Sequence, residues 1–268
     1  MTRATKTRPP TSGPAWRKLS PRAAVEALLD LHGDRLHAIA TRLCRSRDDT
    51  DDLVQETFLQ AYRKWAQFAG DADPMSWLYT IAARACRRLH RRRAGEPAHK
   101  LSLDADAPFA DRLVAVPDAD DPAARAEQRA RLEAAIVALP LTYRMPLVLK
   151  DIVGLDVDAI AGILAIAPTT VRTRAHRARL RLRTALAKVL PKRALPPAAY
   201  SRQICFDLLR AKQQALDLGV PMPGGDDLVC ERCRAVFATM DLAHDVCLDL
   251  ASGRLPAPLR KRILAQAG

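Results

Sequence analysis

"DVDAIAGILAIAPTTVRTRAHRARLRLR", Asp156 to Arg183, is the stretch whose reading decides the fold. Its first part reads as a short helix with Ile160 and Leu164 turned inward. "AIAP" is a tight connection, and Pro168 suits the first turn of a following helix, where a missing N–H costs nothing. In that second helix Val171, Ala175, Ala178, Leu182 and Leu186 recur at one- or two-turn spacing, as a core-facing stripe does. Six arginines between Arg172 and Arg183 flank the stripe. A short helix, a short turn and a longer basic helix make a helix-turn-helix, whose second helix enters the DNA major groove. Thr169, Thr170, Arg172, Thr173, Arg174 and His176 fall on its first turns, where side chains reach base edges. Arg177, Arg179 and Arg181 suit phosphates, which position without specifying. The competing reading is a solvated amphipathic helix; apolar spacing, turn and charge together favour DNA.

The whole chain supports that reading. Its 268 residues carry 43 Lys and Arg against 30 Asp and Glu, a formal charge of +13. Such an excess favours an anionic partner, nucleic acid or an anionic membrane face. Ala, Leu, Arg and Glu are strong helix formers and predict an all-α protein. No run of 18 apolar residues exists, so no membrane span is expected. "MTRATKTRPPTSGPAWRK" is basic but lacks an apolar core, so it is not a secretory signal. Residues 1–20 read as a disordered basic tail and the protein as cytoplasmic.

Three blocks follow. The first, 21–93, reads as consecutive helices. Leu28, Leu31, Leu36, Ile39 and Leu43 keep helical spacing until "RSRDDTDD" breaks it. Thr50 is then an N-cap candidate, with Asp51 and Asp52 in the first turn. In "DDLVQETFLQAYRKWAQF", Leu53, Val54, Phe58, Leu59 (or Ala61) and Tyr62 form the apolar stripe. Asp52, Gln55, Glu56 and Gln60 lie on other faces. Pro74 opens "PMSWLYTIAARACRRLHRRR", with Trp77, Leu78, Ile81, Ala85 and Leu89 inward and Arg84, Arg87, Arg88, Arg91, Arg92 and Arg93 making the far end basic. Residues 94–121, rich in Pro, Asp and Ala, form an acidic flexible linker. The second block, 122–190, holds the helix-turn-helix. Before it, Leu132, Ile136 and Leu139 form one face stopped by Pro140; Pro146 opens the next helix and Gly154 ends it. Prolines in "PKRALPP" separate the third block, 197–268.

"DDTDDLVQETFLQAYRKW", "SWLYTIAARACRRLHRR" and "DAIAGILAIAPTTVRTRAHRAR", in this order, resemble the bacterial extracytoplasmic-function (ECF) RNA polymerase sigma factors. The resemblance covers about Val25 to Leu190. It implies two small helical domains, sigma region two and helix-turn-helix sigma region four, both docked on core RNA polymerase. It makes Asp51, Asp52, Gln55, Glu56 and Gln60 contact candidates for the largest polymerase subunit. It makes the segment from Trp77 the reader of the −10 promoter element, with Trp77, Arg84, Arg87, Arg88, Arg91 and Arg92 as candidates and extruded bases held by the preceding loop "FAGDADPM". The second block becomes the −35 reader. Two departures stand out: Ala165 and Ala167 replace the family's turn Gly and its Ser or Thr cap, and a missing cap costs about 1 kcal/mol.

The third block lies outside this resemblance and holds Cys205, Cys230, Cys233 and Cys247. Cys230 and Cys233 form a Cys-x-x-Cys pair, a usual zinc half-site. "ERCRAVFATMDLAHDVCLDL" has no Gly or Pro and should be one helix, which puts His244 roughly 16 Å along the axis from Cys233. Cys205, on the preceding helix, is the better third ligand. The layout resembles a zinc-binding anti-sigma domain, whose usual His is here Asp226, a further candidate. A redox dithiol and plain core cysteines are the competing readings. Cys44 and Cys86 read as buried packing.

The leading function is therefore a non-enzymatic promoter-specificity subunit that partners core RNA polymerase and promoter DNA. Its extension regulates it from within, or an anti-sigma factor does so from outside. The alternative is a helix-turn-helix regulator that is not a polymerase subunit. No His-Glu-x-x-His cluster supports a zinc hydrolase, and no Gly-rich phosphate loop supports ATP use.

Overall fold

The computed structural model describes residues 16–70, 73–93, 112–114, 122–187, 192–194, 196–222, 224, 228–250 and 253–267. The chain divides into two compact units, one of residues 1–96 with 252–268, the other of 97–251. Among the described residues the fold is helical as expected, save for one pair of three-residue strands.

In the first unit, α1 (Pro21–Leu43) starts on Ser20, whose hydroxyl accepts from the Ala23 N–H. Its inner side is Val25, Leu28, Leu29, Leu36, Ile39 and Leu43, all buried. Leu31, expected on that stripe, is 48% exposed: it sits about 100° round from its buried neighbours. α2 (Arg47–Arg63) is capped by Ser46 rather than Thr50. The Ser46 hydroxyl accepts from Asp49 N at 3.1 Å, while Thr50 is inside the helix and donates back to the Ser46 carbonyl at 3.0 Å. A 3-10 turn, Trp65–Gln67, leads toward α3 (Pro74–Arg93). The three helices pack through Phe58, Leu78, Ala82, Ala85 and Cys86. Cys44 and Cys86 are buried, as expected.

Trp16 anchors the start of the described chain. It is 2% exposed and meets Trp65 edge-on, with ring centroids 6.3 Å apart. The disordered tail expected through residue 20 therefore does not extend over residues 16–20, and residues 1–15 lie outside the described residues.

In the second unit, β1 (Arg112–Val114) pairs antiparallel with β2 (Lys192–Ala194), Leu113 opposite Arg193. β1 falls in the segment expected to be linker alone. α4 (Pro122–Ala138) and α5 (Leu141–Leu147) follow. Pro146 does not open a helix: it lies inside α5, and the chain then widens into a π turn, Val148–Ile152. In that turn Val153 N bonds to Val148 O at 3.0 Å, five residues back rather than the four of a regular helix. α6 (Val157–Leu164) is capped by Asp156, which accepts from Ala159 N at 2.7 Å. α7 is Pro168–Ala187, α8 is Arg202–Leu218 and α9 is Glu231–Asp249. Val171, Ala175, Ala178 and Leu182 are buried as the spacing required.

The expected third block does not stand alone. α8 and α9 form a hairpin, and α9 packs on α7 and the π turn. α10 (Ala257–Gln266) belongs instead to the first unit, on α1 and α2. There Gly253 lies so close to α1 that a Cβ would fall 2.7 Å from that of Ala38.

The turn before α7 is strained. Ala165 ends α6 with φ 53° and ψ 51°, the left-handed region, which costs a residue with a Cβ about 1–2 kcal/mol. Ala165→Gly is expected to stabilise the second unit by about 0.5–1 kcal/mol, once glycine's larger unfolded-chain entropy is subtracted. A raised urea midpoint at unchanged slope reads this out.

Candidate functional site

α7 presents its first turns outward. Thr169, Arg172 and Thr173 are exposed and Thr170, Arg174 and Arg177 half-buried. Thr173 is held by donating to Thr169 O at 2.9 Å. This part of the expected base-reading surface is available in the structure. Further along, Arg181 stacks over Tyr143, 4.5 Å from the ring centre.

Arg179 departs from expectation. It is 5% exposed and faces inward. Its Nε donates to Asp151 Oδ2 at 2.8 Å, Nη2 to Asp151 Oδ1 at 2.6 Å and Nη1 to Asp217 Oδ1 at 2.8 Å. Burial pulls its proton affinity down, but the two carboxylates more than offset this and hold it above the usual arginine value. A guanidinium with both faces committed inside the unit does not reach a phosphate, so its assignment as a DNA contact is corrected to a structural ion pair. His176 is tied to the same network, Nε2 lying 3.0 Å from Asp217 Oδ2. Burial pushes the Asp217 carboxyl up, yet the His176 hydrogen bond and Arg179 hold it below its ordinary value. Neither Asp151 nor Asp217 carries a signal in sequence; each lies tens of residues from its partner.

In the first unit, Trp65 stacks on Phe68 with centroids 5.0 Å apart, and Trp77 meets both, at 5.8 and 5.4 Å. Trp77 is half-buried in this aromatic cluster at the start of α3. Arg84, Arg88 and Arg91 are exposed along α3 and Arg87 is half-buried. The Arg92 side chain and the loop residues Asp71 and Ala72 lie outside the described residues. On α2, Asp52 is exposed, while Asp51, Gln55, Glu56 and Gln60 are half-buried. Glu56 Oε1 accepts from Arg88 Nη2 at 3.2 Å and from Gln60 Nε2 at 3.0 Å. One carboxylate thus joins the acidic face of α2 to the basic face of α3.

The thiols of the hairpin converge. Cys205 and Cys233 share an apolar cluster with Leu209, Val229, Val236, Phe237 and Met240, and Cys230 packs against it. Cys233 is fully buried and hydrogen-bonds with both Cys230 and Cys205; burial first, then its sulfur neighbours, push its thiol up to about 12. Burial also pushes Cys230 up, but backbone hydrogen bonds from Cys233, Ala199 and Arg232 outweigh it and lower this thiol. The donor chemistry suits zinc. As placed, however, no set of three His, Cys, Asp or Glu among the described residues is spaced to hold a metal ion. Asp226 lies outside the described residues. His244 and Cys247 lie farther along α9, Cys247 buried.

Comparison with known proteins divides the chain in the same way. Residues 28–96 match Sigma-70 region 2 and residues 129–182 match Sigma-70, region 4. The ECF RNA polymerase sigma factor SigM of Mycobacterium tuberculosis is 32% identical over 161 residues, 60% of this chain and 76% of that protein. The RNA polymerase sigma factor CarQ of Myxococcus xanthus is 30% identical over 166 residues, 62% of this chain and 91% of that protein. A solved structure of the sigma factor RpoE with the anti-sigma factor NepR from Bartonella quintana is 26% identical, spans 61% of this chain and 96% of that one, and superposes with a TM-score of 0.45.

Proposed function

The chain belongs to the ECF RNA polymerase sigma factors, and on that footing we propose how its surfaces divide the work. It binds core RNA polymerase and directs promoter-specific transcription initiation. The observation that carries this is the succession of region 2 and region 4 in one chain; a helix-turn-helix regulator needs only the second. Its role is that of a binding subunit in the cytoplasm, with the chemistry left to the polymerase. Among the described residues no helix is long and apolar enough to cross a membrane.

α2 faces the polymerase through Asp51, Asp52, Gln55, Glu56 and Gln60. Along α3, Trp77, Arg84, Arg87, Arg88, Arg91 and Arg92 meet the −10 element, cations on the backbone and aromatic rings beside the unstacked bases. The first turns of α7, from Thr169 through Arg177, read the −35 element. Transcription with purified core polymerase across a promoter library tests the whole assignment: initiation at particular promoters should depend on this chain, and its absence would reject the reading. Arg174→Ala should weaken holoenzyme binding to the preferred −35 sequence by about 1–3 kcal/mol and relax selectivity there. Competition binding against −35 variants measures this.

The Cys205, Cys230 and Cys233 thiols are proposed to take one zinc ion, which would tie α8 to α9, with Asp226 the candidate for the fourth position that a closed structural site needs. The thiols must draw together to do so. Metal analysis of protein purified without chelator should give about one zinc per chain, and a thiol assay should show those three thiols shielded until a strong chelator is added. Metal-free protein with all three reactive, even after zinc is supplied, counts against it.

A further inference from the structure

The face of α2 assigned to the polymerase is already occupied by the chain's own α10, within one compact unit. Arg262 Nη2 donates to Asp51 Oδ2 at 3.1 Å, and Gln55 Nε2 donates to Gln266 Oε1 at 2.8 Å. Arg260 Nη2 pairs with Asp30 Oδ1 on α1 at 2.5 Å, and Leu255 N donates to Asp34 Oδ1 at 2.7 Å. Beneath these polar contacts Leu259 and Ile263 are 1% and 0% exposed. An apolar stripe flanked by matched polar groups is a built contact.

We propose that α10 is a displaceable cover, which holds Asp51 and Gln55 until core polymerase takes its place. This deepens the proposed function and rests on α2 being the polymerase-facing helix. Two features support it. Any partner that reaches Asp51 and Gln55 must enter the space that Arg262 and Gln266 fill, so cover and polymerase compete. The cover is also built to leave: α10 has ten residues, too few to persist as a free helix. Its Arg262 side chain is 55% exposed, so water and salt weaken that pair. Asp52 stays exposed beside it, which leaves the polymerase a first foothold.

The test uses the full chain. Arg260→Glu/Arg262→Glu turns two attractions into repulsions and leaves Leu259 and Ile263 in place. Lys261→Glu, on the exposed side of α10, controls for charge. Hydrogen exchange of the free chains reports whether α10 has lifted, and fluorescence anisotropy with purified core polymerase reports affinity. The double variant should expose the amides of α10 and bind polymerase about tenfold more tightly, with Lys261→Glu close to wild type. In the wild-type complex the α10 amides should lose protection. The cover is overturned if the variant lifts α10 with no gain in affinity, or if α10 stays protected in the wild-type complex. Should charge reversal fail to lift α10, Ile263→Ser gives the same comparison by removing buried apolar surface. If no variant and no wild-type chain binds polymerase, the sigma-factor assignment itself falls, and the cover with it.

Discussion

Arg179→Ala is expected to destabilise the second unit by about 3–5 kcal/mol, the range for removing one partner of a buried ion pair. Asp151 and Asp217 have side chains only 3% and 6% exposed, so the arginine's loss strands two carboxylates away from water. Asp151→Asn/Arg179→Met should recover much of the stability, because it removes one stranded charge and fills the space. Urea unfolding of the three proteins measures this. The network also carries a pH signature. Asp217 is held below its ordinary value in the fold, so its contribution is complete above the unfolded carboxylate value of about 3.9. It is lost as pH falls through the lower folded value, and Asp217→Asn should therefore cost less in acid than at neutrality. A surface phosphate contact would behave differently: Arg179→Ala would then lower DNA affinity and its salt dependence, and leave the urea midpoint alone.

Trp65→Ala is expected to cost the first unit about 3–5 kcal/mol, as large aromatic truncations in a core do. Trp65 is 5% exposed, and its Nε1 donates to Leu19 O at 3.0 Å. It is the ring through which Trp16, Phe68 and Trp77 meet, and such aromatic pairs add about 0.5–1.5 kcal/mol each beyond their buried area. Removing it leaves Trp77, at the entry to α3, with Phe68 but without its second ring partner. Promoter opening, followed by permanganate reactivity at −10, should fall, while duplex −35 binding stays near wild type. Trp65→Phe should recover part of the stability but not the Leu19 bond.

Local pattern made most of the architecture readable. Val171, Ala175, Ala178 and Leu182 announce a buried face because helix period alone fixes which residues share a side. Asp156 and Pro168 mark helix starts for reasons of backbone hydrogen bonding that need no tertiary knowledge. The misreadings share a cause. Arg179 falls four residues after Ala175 and eight after Val171, at the edge of the buried stripe, while Arg177 lies on the far side; its charge hid that position, and the carboxylates brought in by the π turn and by α8 account for it. Ser46 and Thr50 were both able to cap α2, and packing chose. β1 and β2 are three residues each, too short for alternation to show. Placement of α10 on α2 likewise left no trace in sequence. Its contacts with Asp51 and Gln55 each span 211 residues, and exposed charges of either sign are found on most helices.

That separation has a consequence for synthesis. Asp51 is made 211 residues before Arg262, an interval of about 10–40 s at ordinary translation rates, and in its later part Asp51 has emerged from the ribosome while α10 is still unmade. During that part the nascent first unit can fold its other helices with the acidic surface of α2 bare. A newly made chain is thus open to capture by polymerase in a way that a finished one is not, and the speed of translation sets how long the opening lasts.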